Sequence, residues 1–464
     1  MNNVIIGKLR RESLELLRKH GLTPFRNIVT PKDVRKVQSE TLNKNRRARA
    51  MIPETVFWLM SFCAFCKSFA DALQRLWSQV ALEFDEYAAN VSGPTTQAFT
   101  QARGNLPIRF FRGIWNLVVE KFSARFSESM MMFKGFLLLA VDGTKVDLPP
   151  EDELLRQFGG PNNRKKLRMP QATILGLVNV LTGFCLDFIV RPYGSSENRL
   201  LRFLLKRLPR WARLLNPLLL LDSAYFGHLN LLWLMKEKMH FLMRAQKKVK
   251  YKIIERLGRG DFIVELATSP RVLKQRDYLP KIYKVRLIRY QIPGFRPALL
   301  ITNLGPEEFT GEELVRLYHE RWRIETFYRE IKHTLEVANL RSKRVEGIYK
   351  EIHAQLTVNN LIRYIMTEAV EGTGEATVRF SFERSYRLVH EAISKMADNI
   401  GFSARRLLRI YKAVLCEIRR YRIDWRPGRR YPRKDKRHRC AKVCGGVLKV
   451  EDDVIFYEVR GAAA

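Results

Sequence analysis

The first 130 residues show the spacing of apolar positions that is typical of helices. Residues Pro53–Phe84 carry a dense apolar pattern with few helix breakers, which predicts a pair of buried helices. Thr95 is suited to cap a helix over Gln97–Leu106, and a proline favours the start of the next helix, Ile108–Phe126. These helices leave two interpretations open, a helix-turn-helix and a plain helical bundle. The basic side chains that allow the first interpretation are Arg103, Arg109 and Arg112.

Beyond residue 135 the pattern changes to short apolar runs that are typical of buried strands. A hairpin signal, Leu181-Thr182-Gly183, joins two of these runs, and predicted helices alternate with the later ones. This order indicates an α/β or mixed-sheet core with strands buried on both faces. The predicted strands are Phe136–Val141, Gln171–Val180, Phe184–Val190, Pro217–Leu221 and His240–Arg244, and the helices are about Asn198–Leu208 and Leu229–Lys238.

Three further segments follow along the chain. Alternating apolar and polar residues, punctuated by Gly and Pro, predict an antiparallel β insertion. The chain is then predicted to be helical over Gly311–Glu336 and mostly helical to Arg422, and Arg426–Lys442 holds nine Lys/Arg against one acidic residue. The predicted divisions are a helical N-terminal domain (1–130), an α/β core in two parts (131–245 and 306–370), a β insertion (246–305), a helical C-terminal region (371–425) and a basic tail (426–464).

The chain as a whole is strongly basic. Its 83 Lys and Arg residues against 47 Asp and Glu residues give a formal net charge of +36. A charge excess of this size indicates a polyanionic partner, with nucleic acid as the first hypothesis and an anionic membrane surface as the alternative. No apolar run approaches the ~20 residues of a membrane span, and six cysteines do not make a disulfide framework. We therefore expect a reducing, cytosolic environment and a nucleic-acid partner.

Two aspartates occupy equivalent positions after apolar runs. Asp142 follows Leu137-Leu-Leu-Ala-Val, and Asp222 follows Leu218-Leu-Leu-Leu. If the two strands are parallel neighbours, the acids meet at one edge of the sheet, where open sheets bind ligands. Two carboxylates there repel each other unless one is protonated or a cation lies between them, and oxygen ligands favour Mg²⁺ or Mn²⁺. The alternative is that each aspartate only caps a loop.

A third acid lies on the predicted helix Gly311–Glu336. A phenol, a cation, this acid and a second cation lie at offsets 0, 3, 7 and 14 along the helix. At about 100° per residue, these four positions fall within about 60° of one helix face. These residues are Tyr318, Arg321, Glu325 and Lys332. An acid there is suited to complete a metal site, and the cations are suited to contact phosphate. The alternative is a solvated face with i,i+4 pairs such as Arg321–Glu325.

The spacing of these residues resembles the signature of a known family. Tyr318-x₂-Arg321-x₃-Glu325-x₆-Lys332 is similar to the Tyr-Arg-Glu-Lys signature of the insertion sequence four family of bacterial transposases. The resemblance covers nearly the whole chain and is weakest in the first 45 residues and the tail. The other similar segments are Asp142-Gly-Thr, Leu148-Pro149, Phe158-Gly159, Pro170-Gln171, Ser196-Glu197, Asp222-Ser-Ala-Tyr225-Phe-Gly227, Ile52–Phe84, Gln101-Ala102-Arg103 and Arg256-Leu-Gly-Arg-Gly260-Asp.

The resemblance implies a DDE transposase with an RNase H-like mixed sheet, in which a β insertion precedes the helix that carries the last acid. The catalytic residues that it implies, and the ligands of two divalent ions (Mg²⁺, with Mn²⁺ as a substitute), are Asp142, Asp222 and Glu325. The residues that it implies for contacts with DNA phosphates near the cut are Tyr318, Arg321 and Lys332.

The activity implied by the resemblance is cut-and-paste transposition. Such an enzyme binds terminal inverted repeats of double-stranded DNA, cuts the element ends and joins the freed 3′-OH to target DNA. We expect a homodimer on DNA, since cutting in trans is a common safeguard in such systems. Two other hypotheses are a domesticated DNA-binding protein and a stand-alone RNase H-like nuclease. Relatives that cut through a hairpin stack a flipped base on an insertion Trp, which residues 246–305 lack; Tyr278 or Phe295 is the alternative stacking surface.

Overall fold

The computed structural model of the chain describes most of the predicted segments. The described residues are 23–42, 52–66, 68–74, 95–126, 128–161, 169–246, 249–292, 297–334, 340–373, 379–397, 404–423 and 455–456. The basic segment Arg426–Lys442 and the predicted stacking residue Phe295 lie outside them. Among the helices within these ranges, none combines the length and the apolar character that crossing a membrane requires.

The N-terminal region is helical, as the sequence predicts. The Thr95 side chain accepts a hydrogen bond from the N–H of Ala98 at 3.1 Å, which confirms the predicted helix cap. The helix that starts at Pro53 is buried along nearly its whole length, as expected for the first of the predicted buried pair. The helices are α1 (Thr23–Arg26), α2 (Pro31–Thr41), α3 (Pro53–Phe62), α4 (Thr96–Gly104) and α5 (Ile108–Arg125).

The core sheet combines antiparallel and parallel pairing. Its strands are β1 (Met132–Phe133), β2 (Phe136–Asp147), β3 (Gln171–Asn179), β4 (Cys185–Pro192), β5 (Pro217–Leu221) and β6 (His240–Arg244), and its helices are α6 (Asp152–Phe158), α7 (Glu197–Lys206), α8 (Arg210–Leu214) and α9 (His228–Lys236). The order across the sheet is β4-β3-β2-β5-β6. β2, β3 and β4 are antiparallel, whereas β2, β5 and β6 are parallel. This is the RNase H-like arrangement, and it confirms the predicted fold class.

The β insertion extends the same sheet. It contains β7 (Lys252–Gly258), β8 (Asp261–Ala267), the short helix α10 (Pro270–Gln275), β9 (Ile282–Gln291) and β10 (Ala298–Thr302). Its strands pair antiparallel in the order β10-β9-β8-β7, and β10 also pairs antiparallel with β6. Backbone hydrogen bonds therefore join the insertion directly to the core.

The C-terminal part of the chain is helical. It comprises α11 (Gly311–His319), α12 (Trp322–His333), α13 (Val345–Glu371), α14 (Phe382–Ala397) and α15 (Ala404–Arg420), and a two-residue strand, β11 (Ile455–Phe456), pairs in parallel with β9. α13 is buried on almost all sides and packs on α3, α5, α14, α15 and β4. This helix therefore joins the N-terminal helices, the sheet and the C-terminal helices.

Helix α5 faces inward, which favours the plain helical bundle over a helix-turn-helix with an exposed second helix. The apolar side of α5 packs against α2 and α13. Arg103, one of the basic side chains that allow a helix-turn-helix, is only 9% exposed, donates to Ser342 Oγ at 3.0 Å and lies over the ring of Phe69. The Arg103 guanidinium is therefore used inside the protein.

The predicted single helix over Gly311–Glu336 is wrong, because the segment forms two helices, α11 and α12. Between them, the N–H groups of Glu320 and Arg321 donate to carbonyls three residues back, as in a 3₁₀ turn. Such a turn winds more tightly than an α-helix. The angular positions calculated at 100° per residue therefore do not hold across the turn, from Tyr318 to Lys332.

Candidate active site

Asp142 and Asp222 leave adjacent parallel strands at the same level. Ala140 and Leu220 are the last paired positions of β2 and β5, and each aspartate lies two residues further along. The strands are thus parallel neighbours, as the sequence argument required. The expectation that β2 ends at Asp142 is wrong, since β2 continues to Asp147 with β3 as its partner. Asp142 therefore lies just beyond the point where β2 parts from β5.

The Asp142 carboxylate is partly buried among other charges. The N–H of Gly143 donates to its Oδ1 at 2.9 Å. Burial raises the pKa of Asp142 to about 6. The Gly143 hydrogen bond and the charge of Arg321 oppose this rise, whereas the charges of Glu197 and Glu325 add to it. Burial is therefore the main cause of the raised pKa of Asp142.

Asp222 is oriented by the short turn that it begins. Its Oδ1 accepts hydrogen bonds from the backbone N–H and, at 3.0 Å, from the hydroxyl of Ser223. The turn then carries Tyr225 into the interior, where this side chain is fully buried. The direction of the Asp222 carboxylate is therefore set by backbone geometry and by the packing of the turn.

Glu325 lies in the first turn of α12 and forms an ion pair with Arg321. Arg321 Nη2 donates to Glu325 Oε1 at 3.2 Å. The Arg321 side chain is 7% exposed and that of Glu325 is 37% exposed. Arg321 Nε is buried without a hydrogen-bond partner. Arg321 thus carries its charge in the interior with one of its donors unsatisfied.

The charge of Arg321 acts on all three acids. Burial opposes this charge, but attraction to Tyr318, Asp222 and Glu325 outweighs burial and raises the pKa of Arg321. The same charge lowers the pKa of Asp142. No three His, Cys, Asp or Glu side chains in the described part of the chain are close enough to hold a metal ion. The Arg321 guanidinium places a positive charge among the three acids, which are not gathered into one ligand cluster in the described structure.

Tyr318 and Lys332, the outer members of the signature, differ in their access to solvent. Tyr318 is 6% exposed, and burial raises its pKa to about 12. The guanidinium carbon of Arg321 lies 5.9 Å from the centre of the Tyr318 ring. Lys332 is half-buried, and burial lowers its pKa against the attraction of Asp147. Tyr318 thus lies inside the site, whereas Lys332 keeps contact with solvent.

Glu197 joins the turns that follow the two aspartates. Its Oε2 accepts a hydrogen bond from Tyr225 Oη at 3.0 Å. Its carboxylate also lies against Gly143, where an added Cβ would come within 2.7 Å of it. Gly143 follows Asp142, and Tyr225 closes the turn after Asp222. The motifs contain these residues, but no signal in the sequence indicates that they meet.

Comparisons with known proteins match the part of the chain that carries these residues. The family model described as "Transposase DDE domain" matches residues 134–361. The chain is similar to Transposase InsG for insertion sequence element IS4 of Escherichia coli (strain K12), with 28% identity over 307 residues, which are 64% of this chain and 67% of that protein. It is also similar to Putative transposase InsZ of the same strain, with 27% identity over 126 residues, 26% of this chain and 40% of that protein.

Among solved structures, the chain resembles that of piggyBac transposase in a cryo-EM synaptic complex with hairpin DNA. The TM-score is 0.41 and the identity 11%, over 85% of this chain and 84% of that one. A likeness of this size carries no argument, so the assignment rests on the sequence matches. The matched range 134–361 contains the three acids and the complete Tyr-Arg-Glu-Lys signature. By these matches, the chain contains a transposase DDE domain and is similar to the DDE transposases of the insertion sequence four family.

Proposed function

We propose that the protein is a cut-and-paste transposase of an insertion sequence, which binds terminal inverted repeats, cleaves DNA at the element ends and joins the freed 3′-OH ends to target DNA. The observation that carries this proposal is the placement of Asp142, Asp222 and Glu325 about the buried Arg321. The net charge of +36 suits a DNA partner. A domesticated DNA-binding protein is not favoured, since the acids and the signature are complete. A stand-alone nuclease is not favoured, since it would not need the helical N-terminal domain and the basic tail.

The donor set of the site fits divalent cations. Asp142, Asp222 and Glu325 would hold two of them, because carboxylate oxygens are the ligands that Mg²⁺ prefers and Mn²⁺ accepts. When bound, such ions stabilise the charge on the attacking and leaving oxygens of an in-line displacement at phosphorus.

The cationic side chains of the signature would bind and orient the DNA backbone. Arg321 carries a planar fork of donors, which is the group suited to hold a phosphate through two hydrogen bonds. Lys332 lies further along α12 and keeps contact with solvent, so it is suited to neutralise a second phosphate. Tyr318 would act by supporting the Arg321 guanidinium with its ring, at a distance that fits a cation–π contact.

We propose a homodimer as the active assembly on DNA. An element has two ends, and each chain carries one set of three acids. Two chains on two ends are therefore the smallest assembly that cuts both ends in one complex. Because the substrate is chromosomal DNA, we place this assembly at the bacterial nucleoid.

End cleavage in the presence of a divalent ion tests the proposed function. The purified chain, incubated with duplexes that carry the element end and with Mg²⁺, is expected to cut at the end and to release a 3′-OH. EDTA is expected to stop the reaction, Mg²⁺ or Mn²⁺ to restore it, and mass photometry to find two chains on two ends. Cleavage that persists in EDTA, or the absence of end-specific cleavage with either ion, would overturn the proposal.

Lys332→Ala is expected to weaken DNA binding to a similar extent for every DNA sequence. Loss of one phosphate contact reduces the number of counterions released on binding, so the slope of log K against log salt should fall in magnitude by about 1. Fluorescence anisotropy over a series of NaCl concentrations measures this slope. Lys332→Arg keeps the charge and serves as the control, with an unchanged slope. An Ala variant with the wild-type slope would place Lys332 away from the DNA.

A further inference from the structure

The Tyr328 phenol links the helix that carries Glu325 to the strand that carries Asp142. Tyr328 lies on α12 and is 6% exposed. Its Oη accepts a hydrogen bond from the N–H of Gly176 at 2.8 Å and donates one to the carbonyl oxygen of Asp142. A single hydroxyl thus contacts β2, at the residue that bears the carboxylate, and its neighbour β3.

The two backbone groups that Tyr328 contacts face each other in the sheet. Asp142 is the partner of Gly176 in the antiparallel pairing of β2 with β3. The N–H of Val180 donates to the carbonyl of Leu138, so these two residues are a hydrogen-bonded pair of β2 and β3. In antiparallel pairing, hydrogen-bonded pairs recur at every second residue along each strand. Asp142 and Gly176, four residues away along each strand, are therefore also at a hydrogen-bonded position, where their backbone groups point towards each other. The phenol therefore bridges a donor and an acceptor of the sheet itself, which are fixed in position by the strands on either side.

Gly176 provides the space that this contact needs. A Cβ built on Gly176 would lie 3.0 Å from Tyr328 Oη and 3.7 Å from the adjacent ring carbon. A side chain at this position would therefore push the phenol away from the sheet. The contact therefore depends both on the hydroxyl of Tyr328 and on the lack of a side chain at Gly176.

We propose that Tyr328 is a positioning residue that fixes α12, and with it Glu325, relative to Asp142. This inference rests on the proposed function, since it assigns a role within the same metal site. Glu325 precedes Tyr328 by three residues, so both side chains lie on neighbouring parts of one helix face. Tyr328 itself touches no substrate. Its hydroxyl sets how far α12 lies from β2, and this separation decides whether both carboxylates reach one ion.

Tyr328→Phe separates positioning from packing, because it keeps the ring and removes only the hydroxyl. Loss of a side chain that orients metal ligands typically weakens metal affinity by about 10–100-fold. We therefore expect Mn²⁺ affinity, measured by titration calorimetry on the full chain, to fall within this range. The Mn²⁺ concentration for half-maximal end cleavage should rise in parallel, while DNA affinity stays at the wild-type value.

Tyr411→Phe is the matched control. Tyr411 on α15 is 7% exposed and donates to Glu368 Oε2 at 2.6 Å, so its variant also removes a buried phenol hydroxyl. It is expected to lower thermal stability without changing Mn²⁺ affinity. Gly176→Ala is the second variant, because the added methyl displaces the Tyr328 phenol; it should weaken Mn²⁺ binding in the same direction even if Tyr328→Phe does not fold.

The outcomes distinguish this inference from the proposed function. If the wild-type chain binds Mn²⁺ and cleaves, but Tyr328→Phe and Gly176→Ala keep the wild-type Mn²⁺ affinity, the positioning role is overturned and the transposase function stands. An equal loss of Mn²⁺ affinity in Tyr411→Phe would also overturn it, because a general loosening of the fold would then account for the effect. If the wild-type chain neither binds Mn²⁺ nor cleaves, the proposed metal site itself fails.

Discussion

Glu325→Gln is expected to abolish metal-dependent end cleavage while DNA binding stays close to the wild-type value. The substitution keeps the size of the side chain but removes the negative charge that a divalent cation requires. Loss of one preorganised electrostatic contact costs about 10²–10³-fold in rate in other enzymes, so we expect at least this reduction. The measurements are the rate of end cleavage at saturating DNA and the DNA affinity from fluorescence anisotropy.

We expect Asp142→Asn and Asp222→Asn, which change the two acids of the sheet, to abolish end cleavage in the same way and to keep DNA binding. Glu312→Gln is the control, because Glu312 lies on α11, is 64% exposed and pairs only with the nearby Arg316 at 3.3 Å in its described contacts. This control should cleave at the wild-type rate. Full cleavage by any of the three acid variants would remove that residue from the site. A comparable loss in Glu312→Gln would show that the net charge of the region matters, and not the position of the acid.

Local pattern predicts that each of the two aspartates follows a buried strand. Each follows an apolar run of strand length, and such a run has few places in a domain other than the centre of a sheet. Asp142 and Asp222 are 222 − 142 = 80 residues apart, and the paired residues Ala140 and Leu220 are also 220 − 140 = 80 apart. The equal spacing puts both acids at the same level, but the parallel pairing of β2 with β5 that brings them together does not follow from the local pattern.

The signature segment shows where local pattern stops being sufficient. Its residues favour helix throughout, and nothing in their propensities indicates the 3₁₀ turn at Glu320 and Arg321. Tertiary packing explains the difference, since the turn lets both Tyr318 and Arg321 point into the interior. The contact between Tyr328 and Asp142 lies further beyond prediction, because it joins residues 186 positions apart.

The function of the Arg256-Leu-Gly-Arg-Gly260-Asp segment becomes apparent only in three dimensions. The Asp261 carboxylate accepts two hydrogen bonds from Arg286 on β9, from Nε at 2.8 Å and from Nη2 at 2.6 Å. Arg286 Nη1 donates to the carbonyls of Gly305 and Phe309, at 2.7 and 2.8 Å. Both carbonyls belong to the loop that leads into α11. The buried pair therefore fixes the path of the chain from the insertion to the signature helices.

Asp261→Ala is expected to lower the free energy of unfolding by about 3–5 kcal/mol. The Arg286 side chain is 2% exposed, so the variant leaves a buried guanidinium without its anion, which is the costly way to break such a pair. Urea denaturation measures the change. Cleavage should also fall under conditions in which the variant remains folded, because the loop before α11 loses an anchor.

The double variant with Arg286→Met decides whether the two residues act as a pair. It removes both charges, so no unpaired ion remains in the interior, and its cost should be smaller than the sum of the two single costs. Loss of the Arg286 contacts to Gly305 and Phe309 remains in the double variant and sets a lower limit to that cost. Strict additivity would mean that Asp261 and Arg286 stabilise the fold independently.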